Sequence, residues 1–73
     1  MDCERIGKAA GAIWTHLHDA DEPRTIAALK KIAGYTGDEI IAGLGWLARE
    51  GKVDFQVQGK KISVSLSQAE LLF

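Results

Sequence analysis

The sequence predicts an α+β domain: a three-helix core, then a two-stranded β-hairpin and a short C-terminal helix. Three observations carry that prediction. Thr36 and Glu39 form a T-x-x-E capping box ahead of an apolar helical stripe, with Tyr35 and Ile40 standing as a hydrophobic staple. Val53-Asp54-Phe55-Gln56-Val57 and Ile62-Ser63-Val64-Ser65-Leu66 both alternate apolar with polar residues, as half-buried strands do. Two helical segments precede the capped one. Gly34-Tyr35-Thr36 alone joins the second to it, which leaves room only for a tight helix-turn-helix.

The elements follow in chain order. Asp2 caps a first helix whose apolar positions Ile6, Ala9, Ala10, Ile13, Trp14 and Leu17 keep to one stripe. Asp19, Asp21, Glu22 and Pro23 end it, and Arg24 and Thr25 form a very short extended segment. Ile26, Leu29 and Ile32 mark a second, shorter helix, which Gly34 terminates with a left-handed residue. Ile40, Ile41, Leu44, Leu47 and Ala48 give the third helix its buried stripe, and Gly51 stops it. Gly59-Lys60 suits a two-residue type II′ turn, because glycine fits the first loop position. That turn pairs Val57 with Ile62, Phe55 with Val64 and Val53 with Leu66. All six of these side chains are expected against the helices, with Asp54, Gln56, Ser63 and Ser65 on the opposite face. Ser67-Gln68-Ala69-Glu70 repeats the capping-box pattern, with Leu66 and Leu71 as its staple, ahead of a helix ending in Leu71, Leu72 and Phe73.

Seventy-three residues read as one domain, residues 1–73. A chain this short buries only ~60% of the surface its unfolded form exposes, so its margin of stability is modest. Its 47% hydrophobic content is that of a soluble globular chain, and a net charge of −1 lacks the basic excess usual in proteins devoted to nucleic acid. Cys3 is the single cysteine, which excludes an intramolecular disulfide and a Cys-based zinc site. No signal-like N-terminus and no membrane-length apolar run occurs, so a cytoplasmic location is expected.

The run Leu44-Gly45-Trp46-Leu47-Ala48-Arg49-Glu50-Gly51-Lys52-Val53 resembles the end of a recognition helix entering its wing. Winged-helix regulators carry a similar L-x-x-L-x-x-x-G-x-V/I pattern there. From Ile6 through Leu66 the chain is similar to a small prokaryotic winged helix-turn-helix family of uncharacterised function. The resemblance implies a DNA-binding type of architecture and no known catalytic residue. The matching apolar and glycine positions are structural ones, specific for fold and silent on activity.

Two functions stay open on the residues. As a DNA-binding transcriptional regulator, expected to be a dimer, the module would hold double-stranded DNA by backbone contacts from Lys60 and Lys61 at the wing tip and Lys52 at its base. Arg49 and Trp46 would lie on the groove-facing surface. Lys30 and Lys31 would add phosphate contacts. A helical wheel puts Asp38, Ala42, Trp46 and Arg49 opposite the buried stripe, with Glu39 nearby; Arg49 is the one good reader of base edges, and the carboxylates repel phosphate. The bland account makes these lysines solvated surface charges, with Lys30 and Lys31 complementing a helix dipole. As a protein-interaction or homodimerisation module, the chain would instead present Trp46 and Ala42, or the Leu72-Phe73 end. Trp46 tucked under the hairpin as core is the bland account there. Gly7, Gly11, Gly43 and Gly45 inside helices point to close approach of another helix, more simply one within the fold.

Metal, cofactor and catalytic readings find no support. His16 and His18 lie two apart on a helix and point to nearly opposite sides. No phosphate loop, nucleophile elbow or His-Glu metal motif occurs, the carboxylates are scattered and read as solvent-facing, and so small a core leaves little room for a substrate pocket. A non-enzyme without cofactor or small-molecule substrate is expected.

Overall fold

The structure, a computed structural model, describes residues 1–72, and Phe73 lies outside the described residues. Helix α1 spans Cys3–Asp19, strand β1 Arg24–Thr25, helix α2 Ile26–Leu29 and helix α3 Gly37–Arg49. Strands β2 (Val53–Gln58) and β3 (Lys61–Leu66) and helix α4 (Gln68–Leu71) follow.

The local signals work as their chemistry requires. The Arg5 amide donates to Asp2 Oδ1 at 2.8 Å, which starts α1. The α3 capping box is complete: the Glu39 amide donates to Thr36 Oγ1 at 3.1 Å and the Thr36 amide to Glu39 Oε1 at 2.9 Å. At the hairpin turn Gly59 has φ +61° while no described non-glycine residue has positive φ, so Lys60 stays on the ordinary side as a type II′ turn requires. The register pairs Val57 with Ile62, Phe55 with Val64 and Val53 with Leu66.

Four expectations about the sheet, α2 and α4 change. α2 covers only Ile26–Leu29, so Lys30–Thr36 rather than Gly34–Thr36 connects it to α3. Its end tightens through three-residue hydrogen bonds, Lys31 N–H to Ala28 C=O and Ile32 N–H to Leu29 C=O. Ile26, Leu29 and Ile32 recur every third residue, a spacing that such tighter winding satisfies as well as an α-helix does. Second, the sheet has three strands in the order β1-β3-β2, because Arg24 and Thr25 pair with Val64 and Ser63. Third, only the base of the hairpin faces the helices. Val53, Val64 and Leu66 are buried, whereas Phe55, Val57 and Ile62 are 43%, 69% and 39% exposed, since the strands run on past the helical body. Fourth, Ser67 makes no side-chain cap at α4; Glu70 instead accepts from Trp14 Nε1 at 2.9 Å, and Leu71 is exposed rather than stapled.

The core is a single cluster in which Ala9, Ala10, Ile13 and Leu17 of α1 meet Ile40, Leu44 and Leu47 of α3, with Leu29 and the sheet residues closing it. Ile41 and Ala48, expected in the buried stripe, are exposed. The helix rotates so that Gly43 takes their place against α1. A Cβ at Gly43 would stand 2.9 Å from the Ala10 amide nitrogen and 3.3 Å from the Ala9 carbonyl carbon, so only hydrogen fits there. Three other helical glycines have a different surrounding: a Cβ at Gly7, Gly11 or Gly45 would meet nothing within 4 Å.

Gly43→Ala is therefore expected to lower unfolding stability by roughly 1–3 kcal/mol, the usual cost of overpacking against immovable backbone. Gly45→Ala should raise it by up to about 1 kcal/mol through helix propensity alone. Urea titration of both variants checks the pair; equal shifts would remove the packing explanation.

Candidate functional site

Surface chemistry here starts from which charges the fold neutralises. Glu39 is the one buried charged residue among those described. Its Oε1 lies 2.8 Å from Arg5 Nη2 and its Oε2 accepts from Arg5 Nε at 2.9 Å, while Oε1 also takes the Thr36 amide. Arg5 Nη2 further donates to the Gly34 carbonyl at 2.6 Å, and the guanidinium lies 4.9 Å from the centre of the Tyr35 ring. The Arg5 hydrogen bonds and the Thr36 amide hold the Glu39 carboxyl down to about 2 from its ordinary 4.5. Hydrogen bonding to Glu39 in turn raises the Arg5 guanidinium. Two expectations are corrected: Glu39 is not solvent-facing, and it adds no exposed negative charge to the leading end of α3. Arg5, 34 residues away in sequence, is a partner that local reading gives no means to find.

The basic residues divide between surfaces. Lys60 and Lys61 are exposed at the wing tip and line, with Thr25, Ile26, Ala27 and Ile62, a hollow of about 390 Å³. The hollow lies where α2 begins, so the tip of the wing and the start of the helix-turn-helix share one face. The Lys30 stem lies against Gly37 at the start of α3, and Lys31 and Arg49 are exposed. Lys52 stands apart from this group. It shares a hollow with Trp14, Trp46 and Glu70 beside α1, at the far end of the hairpin from Lys60.

Trp46 is 55% exposed, so it is not core. It also does not stand opposite the buried stripe: it leans toward α1, lining one hollow with Gly7, Gly11 and Trp14 and another with Cys3 and Ile6. Ala42 is half-buried, and the exposed face of α3 consists of Asp38, Ile41, Gly45, Ala48 and Arg49. Leu72 is 75% exposed, and Phe73 lies outside the described residues. His18 stacks on Trp14 with ring centres 4.9 Å apart, and its Nδ1 lies 3.3 Å from Asp19 Oδ1. Trp14 thus joins α4 to the end of α1, a role its place in an apolar stripe did not reveal. Among the described residues no three histidine, cysteine or carboxylate side chains gather as a metal site, and no helix is long and apolar enough to cross a membrane.

A family model described as a winged helix-turn-helix domain (DUF2582) matches residues 1–66. The chain belongs to this family. Helices α1 to α3 and the whole three-stranded sheet of the winged helix fall inside the match, and α4 follows it. The resemblance read from Leu44–Val53 is thereby established for fold. No curated protein matches this winged helix in sequence.

The depressed Glu39 carboxyl gives a signed pH dependence. A group lowered on folding contributes stability that is complete above its unfolded value, near 4.5, and is lost as pH falls toward about 2. Glu39→Gln should be less stable than the parent at neutral pH, with the difference shrinking across that acid window. Urea titrations at a series of pH values measure it, and a gap that stays constant down to pH 2 would contradict the assignment.

Proposed function

We propose that the protein is a non-catalytic DNA-binding module of the transcription-regulating kind, contacting the duplex backbone with Lys60 and Lys61. The observation that carries this reading is the shared face of the wing tip and the helix-turn-helix entry, where both lysines are exposed beside Thr25 and Ala27. The winged-helix fold supports it, since α3 and the wing are the elements that engage a duplex in such domains. Burial of Glu39 supports it again, because Asp38 is then the only exposed acid in the first turn of α3. Lys30, Lys31 and Arg49 complete the basic contribution, with Arg49 on the exposed face of α3 as the base-edge reader. Lys52 is left out of this surface, since it stands with Trp46 and Glu70.

A second reading rests on a different observation, the exposure of Trp46 in a hollow with Gly7 and Gly11, where an added Cβ would meet nothing within 4 Å. In it the module presents Trp46 to a protein partner, as an aromatic anchor in an apolar patch.

Duplex DNA titrated at several salt concentrations discriminates the two. Binding that weakens as salt rises is expected, and the Lys60→Ala/Lys61→Ala variant should flatten the log–log salt slope by about two, one for each phosphate no longer neutralised. Absence of binding at low salt removes the first reading. Trp46→Ala should leave both the fold and the DNA titration unchanged if the first reading holds, and should abolish a partner complex if the second does.

A further inference from the structure

β2 is an edge strand, and the phase of its hydrogen bonding is fixed. The turn closes on the Gln58–Lys61 pair, and at the other end the Ser67 amide donates to the Lys52 carbonyl at 2.9 Å. Lys52, Asp54, Gln56 and Gln58 therefore turn their backbone groups toward β3. Val53, Phe55 and Val57 turn theirs outward, to the free side of the sheet. The strand has an unbroken register and contains no proline or bulge, two of the usual devices that blunt an edge, and Asp54 is its one charged residue. The same odd-numbered residues carry the apolar face, on which Phe55 and Val57 are exposed.

The geometry points to a homodimer in which the β2 edges of two copies pair antiparallel about a two-fold axis through Phe55, joining two sheets into one. The charge pattern selects this partner and this register. With Phe55 opposite Phe55 of the second copy, Val53 meets Val57, Asp54 meets Gln56 and Lys52 meets Gln58. All three outward-facing residues then exchange backbone hydrogen bonds, and no like charges stand opposed. A slip by two residues in one direction sets Asp54 against Asp54, and in the other sets Lys52 against Lys60. Like charges directly opposite destabilise a strand pair. A slip by one residue turns the apolar face of one copy against the polar face of the other. The surface centres on Phe55 and meets a Trp46 hollow only at Lys52, and this inference rests on neither functional reading.

The test uses the full chain in sedimentation and amide-exchange measurements across a range of concentrations. The native protein should gain mass with concentration toward twice 7.9 kDa, and the Val53, Phe55 and Val57 amides should become protected in step. Because Phe55 opposes itself, Phe55→Lys and Phe55→Glu should each be folded and monomeric, and mixing them equally should restore the dimer. A native protein that stays monomeric overturns the proposal. So does association that persists in Phe55→Lys, or association without protection of those three amides. If the Phe55 variants fail to fold, amide protection in the native chain still decides the matter.

Discussion

The close crossing of α1 over α3 at Gly43 is the constraint on which the rest of the packing depends. With backbone against a bare Cα, the two helices bring Ala9, Ala10 and Ile13 into one cluster with Ile40, Leu44 and Leu47. Any side chain at position 43 would push the axes apart and loosen the whole cluster. Arg5 then sets the alignment of the pair. It grips Glu39 at the head of α3, and through Gly34 and Tyr35 it also holds the turn that leads there. Val53, Val64 and Leu66 cover what the helices leave open. The sheet needs only its inner half for this, which is why the outer half projects.

The electrostatic arrangement follows from the same clamp. An isolated buried carboxylate is costly, and one that accepts from a guanidinium and a backbone amide is not. Glu39 meets both conditions and so serves at once as helix cap and interhelical tether. Its charge is directed inward. The remaining chemistry falls on separate surfaces: lysines beside the start of α2 and α3, tryptophans with Lys52 along α1, and an apolar strand edge at the margin of the sheet.

Much of this architecture was legible in the sequence because local chemistry determines it. The Thr36–Glu39 box, the Gly59 turn and the register of Val53, Phe55 and Val57 depend on neighbours a few residues away. The failures share a cause as well. Ile26, Leu29 and Ile32 recur at a spacing common to two kinds of winding, and nothing local separates them. Ile41 and Ala48 look buried on a helical wheel, but the rotation of α3 is decided by α1 meeting Gly43. Glu70 matches a capping box in composition, yet its carboxylate goes to Trp14, 56 residues away. For the candidate site, the lysines of the wing tip were visible and their company was not. The separation of Lys52 and the tilt of Trp46 toward α1 are tertiary facts.

The type II′ turn confines its stereochemical demand to Gly59, the only residue of the loop on the left-handed side of φ. Position 60 inherits no such restriction, and its side chain is in solvent. Shape and chemistry at the tip of the hairpin are thus specified by adjacent but independent residues. A lineage carrying this scaffold is free to swap an ammonium there for a hydroxyl, an amide or an aromatic ring. The ribbon beneath would keep its course while the chemistry of its tip changed.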